Sequence, residues 1–505
     1  MFENSSENSN LKPVGYAELI SRYELDVIPN WHSSMVAASG THRINTTGGV
    51  VEEVYPSKYW PGENFGDHLE FALKYDGVNL EILSALFKTV TETEVLDYIK
   101  SKPTGMYARR VWFLYELLTE NILPIDDLKK LKYVDVLDPN HYYTINPTHK
   151  IQRYCVNDNL LGDRAFCPII RRTERLDRFE KADLPKRVQQ VISDYSMQQL
   201  KRALSYLYTK ETKSSFEIEQ VKPSSSRTER FVALLHLAEK EDFCNKSRFI
   251  ELQNRIVDPR FRESDYRTSQ NYVGETVTWQ NEMIHYVCPK PDDIAALMEG
   301  LVTAHERMEN GGISPVIHAA AIAYGFVFLH PFEDGNGRIH RFLIHNILAR
   351  QGFTNPEIML PISASMLNNL HEYDTSLEKF SRDIISLVDY SLDEVGKMIV
   401  HNDSVQWYRF IDMTPQAEAL CWFIEQAIDT ELVNELEFLD KYDETKMALQ
   451  EIIDMPDHKI DLFIRLCVQN NSKLSAKKRL SHFDFLSDDE LVMMEHVIHS
   501  TFDQT

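Results

Sequence analysis

His330-Pro331-Phe332-Glu333-Asp334-Gly335-Asn336-Gly337-Arg338-Ile339-His340-Arg341 is the stretch on which the reading of this chain turns. A histidine closes a strongly apolar run at positions 319–329. Its ordinary pKa lies nearest neutrality of any side chain, so it can take up a proton at working pH. Four residues on, Asp334 offers a hard oxygen of the kind Mg²⁺ accepts alongside phosphates. Gly335 and Gly337 allow positive φ and can turn their N–H groups inward as an anion nest, beside the amide of Asn336. A helix is then expected to begin, and its N-terminus favours phosphate. Ile339, Phe342, Leu343, Ile347 and Leu348 fall on one face of that helix. Arg338, Arg341 and His345 fall on another. Paired guanidiniums just after a nest suit several phosphate oxygens. A base, a metal ligand, a nest and two arginines together describe a site for a nucleoside triphosphate.

Each piece alone is ordinary. Asp-Gly-Asn-Gly is a common turn, and a lone histidine more often packs than reacts. The joint pattern is specific. It resembles the motif of the Fic family, His-x-Phe-x-Asp/Glu-Gly-Asn-Gly-Arg-x-x-Arg, and every specified position matches. The resemblance implies a mainly α fold: a Fic-type helical core with a short β-hairpin flap, here joined to an N-terminal mixed or helical region and a C-terminal helical region. It implies transfer of AMP from ATP-Mg²⁺ to a Ser, Thr or Tyr hydroxyl of a target protein. By the same resemblance His330 is the catalytic base and Phe332 anchors the loop. Asp334 is the Mg²⁺ ligand. Gly335, Asn336, Gly337 and Arg338 hold the phosphates. Arg341 takes the γ-phosphate or, at rest, an inhibitory glutamate. A phosphotransferase branch of the fold has Ala and Lys where this chain has Gly335 and Gly337, which argues against kinase chemistry. Hydrolysis of AMP from a modified target by the same site, and nucleotide sensing without transfer, stay open as alternatives.

Inhibited members of the family carry Ser/Thr-x-x-x-Glu-Gly/Asn on a helix. Ser215 and Glu219 match that spacing, while Gln220 departs from Gly/Asn. Glu219 is therefore expected to be inhibitory, with Ser215 beside it. Tyr272, Val273 and Gly274 open a strand-like stretch at 272–279, and a second lies at 285–287, around Gln280-Asn281-Glu282. This hairpin resembles the family's flap, which pairs with an extended target segment by strand addition.

With 505 residues, the chain has room for about three domains of ~150 residues. A net charge of −23 argues against nucleic acid or an anionic membrane as partner of the whole chain. The cysteines, Cys155, Cys167, Cys244, Cys288, Cys421 and Cys467, form no Cys-x-x-Cys pair, which fits reduced thiols. Positions 1–10 are polar, unlike a signal peptide, and no apolar run approaches the roughly 18 residues of a membrane span. A cytoplasmic location is the expectation, and a homo-oligomer is compatible with it.

Four consecutive segments are expected: a disordered tail at 1–15, an N-terminal region of unknown role at 16–190, a catalytic domain with its inhibitory helix at 191–400, and a helical region at 401–505. Within the second, 80–96 and 108–118 have helical spacing, 142–154 reads as a strand pair, and Arg171, Arg172, Arg175 and Arg178 read as a solvated face rather than a partner patch. Helical pattern runs from 184 to about 210, and Ser226-Arg227-Thr228-Glu229 reads as a capping box. His318 reads as a packed histidine. Lys473, Lys477, Lys478 and Arg479 read as a solvated loop.

Overall fold

Alternation of apolar faces with helical period builds most of this molecule, and β-structure is confined to small sheets. The computed structural model describes residues 11–278, 281–354 and 358–502. The chain divides into two compact units that interleave in sequence. The first takes residues 1–183, 212–354 and 366–423; the second takes 184–211, 355–365 and 424–505. The four consecutive segments expected from the sequence therefore do not coincide with the units. Elements distant in sequence share each core, which composition along the chain cannot reveal.

In the first unit, Leu11–Val14 is a strand paired with His32–Ala37. Residues 11–15 thus leave the expected disordered tail, because Val14 is fully buried; residues 1–10 of that tail lie outside the described residues. The sheet continues through Val50–Pro56, parallel to His32–Ala37, to an outer strand Arg43–Thr47. Helices Leu80–Thr89, Glu92–Ser101 and Met106–Thr119 pack into one apolar core around Leu83, Ile99 and Trp112. The expected strand pair at 142–154 is displaced: His149–Ile151 pairs with Val156–Asp158. Arg171 pairs with Asp412 at 3.0 Å, and Arg172 lies 4.4 Å over the Tyr143 ring.

The same unit holds the helices on either side of the His330–Arg341 stretch. Pro315–Leu329 is apolar all round and buried on every side. Small residues let neighbours close on it: a Cβ on Gly325 would come within 2.8 Å of Leu301 and of the Phe166 ring. The N-terminal region is thereby wedged against the helix that leads into the His330 loop. Its residues 167–169 also run beside 409–413, with Cys167 N–H donating to the Arg409 carbonyl and Met413 N–H to the Ile169 carbonyl, each at 2.8 Å. The expected hairpin forms from Tyr272–Thr278 and Asn281–Val287, antiparallel, with a register shift at Val273/Gly274. Trp279 and Gln280 lie outside the described residues.

The second unit is helical. Val433–Ile452, Asp457–Val468 and Asp488–Phe502 enclose Leu449, Phe463, Phe483, Met494 and Ile498. Ser487 and Glu490 cap the last helix reciprocally, as their spacing predicts. The expected solvated loop is in part a short helix, Ala476–His482: Lys477, Lys478 and Arg479 lie on it and Lys473 precedes it, the three lysines exposed and Arg479 paired with Asp488 at 2.5 Å. The expected helix at 184–210 is two, Leu184–Ile192 and Met197–Glu217.

Candidate functional site

His330 occupies the C-cap of Pro315–Leu329 with φ 49° and ψ 58°, a left-handed conformation uncommon outside glycine and asparagine. This backbone turn ends the apolar helix. His330 Nδ1 lies 3.2 Å from the Val327 carbonyl, which can only accept, so Nδ1 carries the proton. Nε2 is then the basic nitrogen. Burial, and next the Arg267 guanidinium, push the His330 pKa down to about 4, so the ring is neutral near pH 7.

The loop after His330 is held tightly. Phe332 is fully buried, its ring 5.7 Å from that of Tyr266. Asn336 closes the turn on itself: its Oδ1 accepts from Phe332 N–H at 3.1 Å, and its Nδ2 donates to the Phe332 carbonyl at 2.7 Å. The amide expected to reach phosphate is thus committed to the backbone. Gly335 stands at φ 95°, a position that strains any side chain, and a Cβ there would also meet Val257 at 3.0 Å. The helix Asn336–Arg350 begins at once, with its free N–H groups at this turn.

Arg267 braces the loop, and the sequence reading missed it. Its Nε donates to the His330 carbonyl at 2.8 Å, and its two Nη groups donate to the Ser269 and Pro289 carbonyls at 2.7 and 2.6 Å. Its own N–H donates to the Pro331 carbonyl at 2.8 Å. An arginine among polar loop residues gives no local signal of such a role. Tyr373 was missed for the same reason; its hydroxyl lies 3.3 Å from Arg341 Nη1.

On the helix Asn336–Arg350, Arg338 and Arg341 are almost fully buried and share one carboxylate, Glu219. Glu219 Oε2 is 2.6 Å from Arg338 Nε, and Oε1 is 2.8 Å from Arg341 Nη2. Arg341 also donates to the Ser215 hydroxyl at 2.8 Å and the Ser215 carbonyl at 2.5 Å. Burial alone would lower the Arg341 pKa, but Tyr373 and Glu219 raise it on balance. Arg338 further pairs with Asp334 and lies 5.3 Å over the Phe216 ring. The structure therefore brings Ser215, Glu219, Asp334, Arg338 and Arg341 together. Gly337 provides the space, since a Cβ there would stand 2.5 Å from Glu219 Oε1.

Glu219 is presented by a Schellman turn. Val221 N–H donates to the Phe216 carbonyl and Gln220 N–H to the Glu217 carbonyl, with Gln220 at φ 56°. This is the left-handed position where Gly or Asn was expected. Glutamine takes it at a cost of about 1–2 kcal/mol. Downstream, Ser224, not Ser226, caps the next helix, Ser225–Leu235, because its hydroxyl accepts from Arg227 N–H.

The hairpin is anchored beneath the site: the Tyr286 hydroxyl donates to the Phe328 carbonyl at 2.5 Å, two residues before His330. Tyr272 bonds Glu282 across the hairpin, and Val273 is exposed. The two strands form a sheet of their own, leaving the outer edge of Tyr272–Thr278 unpaired among the described strands. His318 is packed as expected, its Nε2 3.0 Å from His305 Nδ1. His340 is also buried, and burial pushes its pKa down to about 3.

Residues 243–348 match the family model described as Fic/DOC family. That span contains the whole loop and nearly all of the helix that follows it. Among curated proteins it is similar to a protein adenylyltransferase Fic of Aedes aegypti, 28% identical over 254 residues, covering 43% of this chain and 46% of the relative. It is also similar to a protein of the same description from Drosophila grimshawi, 34% identical over 115 residues, covering 22% and 21% respectively. The chain thus spans less than half the length of these relatives. Solved structures similar to it include a Fic family protein from Desulfovibrio desulfuricans, 16% identical with a TM-score of 0.36, covering 64% of this chain and 84% of that one. No helix among the described residues is long and apolar enough to cross a membrane.

Proposed function

We propose that this chain transfers AMP from ATP to a hydroxyl side chain of a target protein, and of itself, and that Glu219 restrains it. The observation that carries the reading is the convergence of His330, the turn at Gly335 and two buried guanidiniums on one helix start. A neutral His330 with Nε2 unprotonated can accept the target's proton. The hydroxyl oxygen then forms a bond to the α-phosphorus. The bond from that phosphorus to the bridging oxygen breaks, and pyrophosphate leaves with the electron pair. A pKa near 4 makes His330 a weak base at rest, and an arriving polyanionic triphosphate raises it. Arg338 and Arg341 would hold the phosphates with the N–H groups at Gly335–Gly337.

Asp334 suits Mg²⁺: a hard carboxylate, 45% exposed, that phosphate oxygens would complete. When bound, the ion neutralises phosphate charge. The free edge of Tyr272–Thr278 would take the target's extended segment as an added strand, over Tyr272, Val273 and Gly274.

Restraint follows from charge. Glu219 occupies both guanidiniums that the triphosphate needs, so ATP binds only with its terminal phosphates displaced and the α-phosphorus out of line. Removing Glu219 leaves two buried cations that phosphate can pair, so carboxylate and triphosphate compete for one seat. The position of Glu219 at Gly337 also favours a second reading, in which it places a water for hydrolysis of AMP from a modified target. The test is incubation with Mg²⁺ and ATP labelled at the α-phosphate, in the wild-type protein and Glu219→Gly. Covalent label on protein, stronger in the variant, supports transfer. Retention of intact ATP with no covalent label in either would sink it in favour of a nucleotide sensor.

A further inference from the structure

A cavity of about 420 Å³ lies in the N-terminal part of the first unit, lined among others by Lys74, Tyr107, Arg110, His141, Arg171 and Arg172. It gathers four arginine and lysine side chains in a chain whose net charge is −23. Its acids are already satisfied. Asp76 accepts from Ser34, from Tyr16 N–H and from His32. Asp138 accepts from the backbone and side chain of Asn140 and lies 3.6 Å from His141. Arg171 is paired with Asp412 and stacked 4.7 Å over Trp31, and Arg172 stands 3.4 and 3.5 Å from Asp177 and Glu180.

Arg110 is different. It is 8% exposed, its Nε donates to the Asp135 carbonyl at 2.7 Å, and its guanidinium lies 5.6 Å over the Tyr107 ring. It makes no ion pair among the described residues. Nor does Lys74, which is exposed and lies 4.8 Å over the Tyr75 ring. The carboxylate of Asp135 itself accepts from Asn157 at 2.7 Å. Burial lowers the Arg110 pKa and outweighs Asp138 and Asp135, which reach it only through longer-range attraction. A buried guanidinium without a direct ion-pair partner is costly, and a mobile anion is the simplest compensation. Planar donors in a cavity that Lys74 also lines suit a tetrahedral oxyanion, and the aromatic wall and volume suit a small organic ligand.

We infer that this cavity binds a small phosphorylated ligand through Arg110 and Lys74. It is separate from the Fic motif and does not depend on adenylyl transfer. The test is calorimetric titration of the full chain with inorganic phosphate as probe. Arg341→Ala serves as background, to weaken phosphate binding at the motif. Saturable, salt-sensitive binding is expected there. Arg110→Gln should weaken it by roughly ten- to a hundredfold, the range of one charge-assisted bond. Lys74→Gln, at an exposed position that leaves folding intact, should weaken it several-fold. No saturable binding, or binding unchanged in both variants, overturns the inference.

Discussion

Two segments meet at the guanidiniums of Arg338 and Arg341, and they are built on opposite principles. The loop His330–Gly337 is tied by independent bonds from several directions: Arg267 to the His330 and Pro331 carbonyls, Asn336 to both backbone groups of Phe332, and Glu263 to Glu333 N–H at 3.0 Å. The segment 215–220 presents one carboxylate from a helix end that closes on a strained glutamine. Redundant satisfaction of backbone groups makes a loop that keeps its shape when a ligand arrives. A lone carboxylate, 25% exposed, on a strained turn can be exchanged for phosphate. On the proposed function, the difference separates the part of the site that is to be preorganised from the part that is to leave.

Breaking the fixed part should have the largest effect. His330→Ala should leave ATP binding nearly intact and cut transfer by about 10²–10⁴, the usual worth of a general base. Single-turnover transfer alongside equilibrium nucleotide binding checks this, and near wild-type transfer would remove His330 from the mechanism. Arg267→Met strips donors from three carbonyls, at about 1–3 kcal/mol for each one left unpaired. Lower thermal stability and a fall in kcat greater than any change in KM are expected. It also removes the cation that helps hold the His330 pKa down, so the acid limb of the rate profile should move to higher pH. A variant that loses stability with an unchanged acid limb would confine Arg267 to a structural role.

Breaking the exchangeable part should act in the opposite direction. Glu219→Gly should raise self-modification by about 5–150-fold, the span of a coupling of ~1–3 kcal/mol. The ligand-free variant holds two buried guanidiniums with one carboxylate fewer, so ATP should raise its melting temperature more than that of the wild type. Equal shifts in both proteins would show that carboxylate and phosphate do not compete. The smallest effect sharpens the contrast. Gln220→Gly relieves a left-handed residue and should tighten the turn by about 0.5–1 kcal/mol, lowering basal transfer roughly two- to fivefold. Higher basal transfer in that variant would mean that the strain itself holds Glu219 in place.

The chemistry of the motif was legible because it is local. His330, Asp334, Gly335, Gly337, Arg338 and Arg341 lie within twelve consecutive residues, and a helix start forces them together whatever surrounds it. The spacing of Ser215 and Glu219, and the alternation around the hairpin, could be read for the same reason. Only the tertiary structure decided that Glu219 reaches both arginines rather than Arg341 alone, because that depends on how a helix 120 residues upstream packs against the motif helix. It also decided that Asn336 braces the loop and that Gly337 makes room for a carboxylate. Arg267 and Tyr373 carry no local pattern: a side chain that satisfies distant carbonyls or a distant cation is defined by where the chain returns in space. The two units interleave for the same reason, since burial pairs apolar faces by shape and not by order along the sequence.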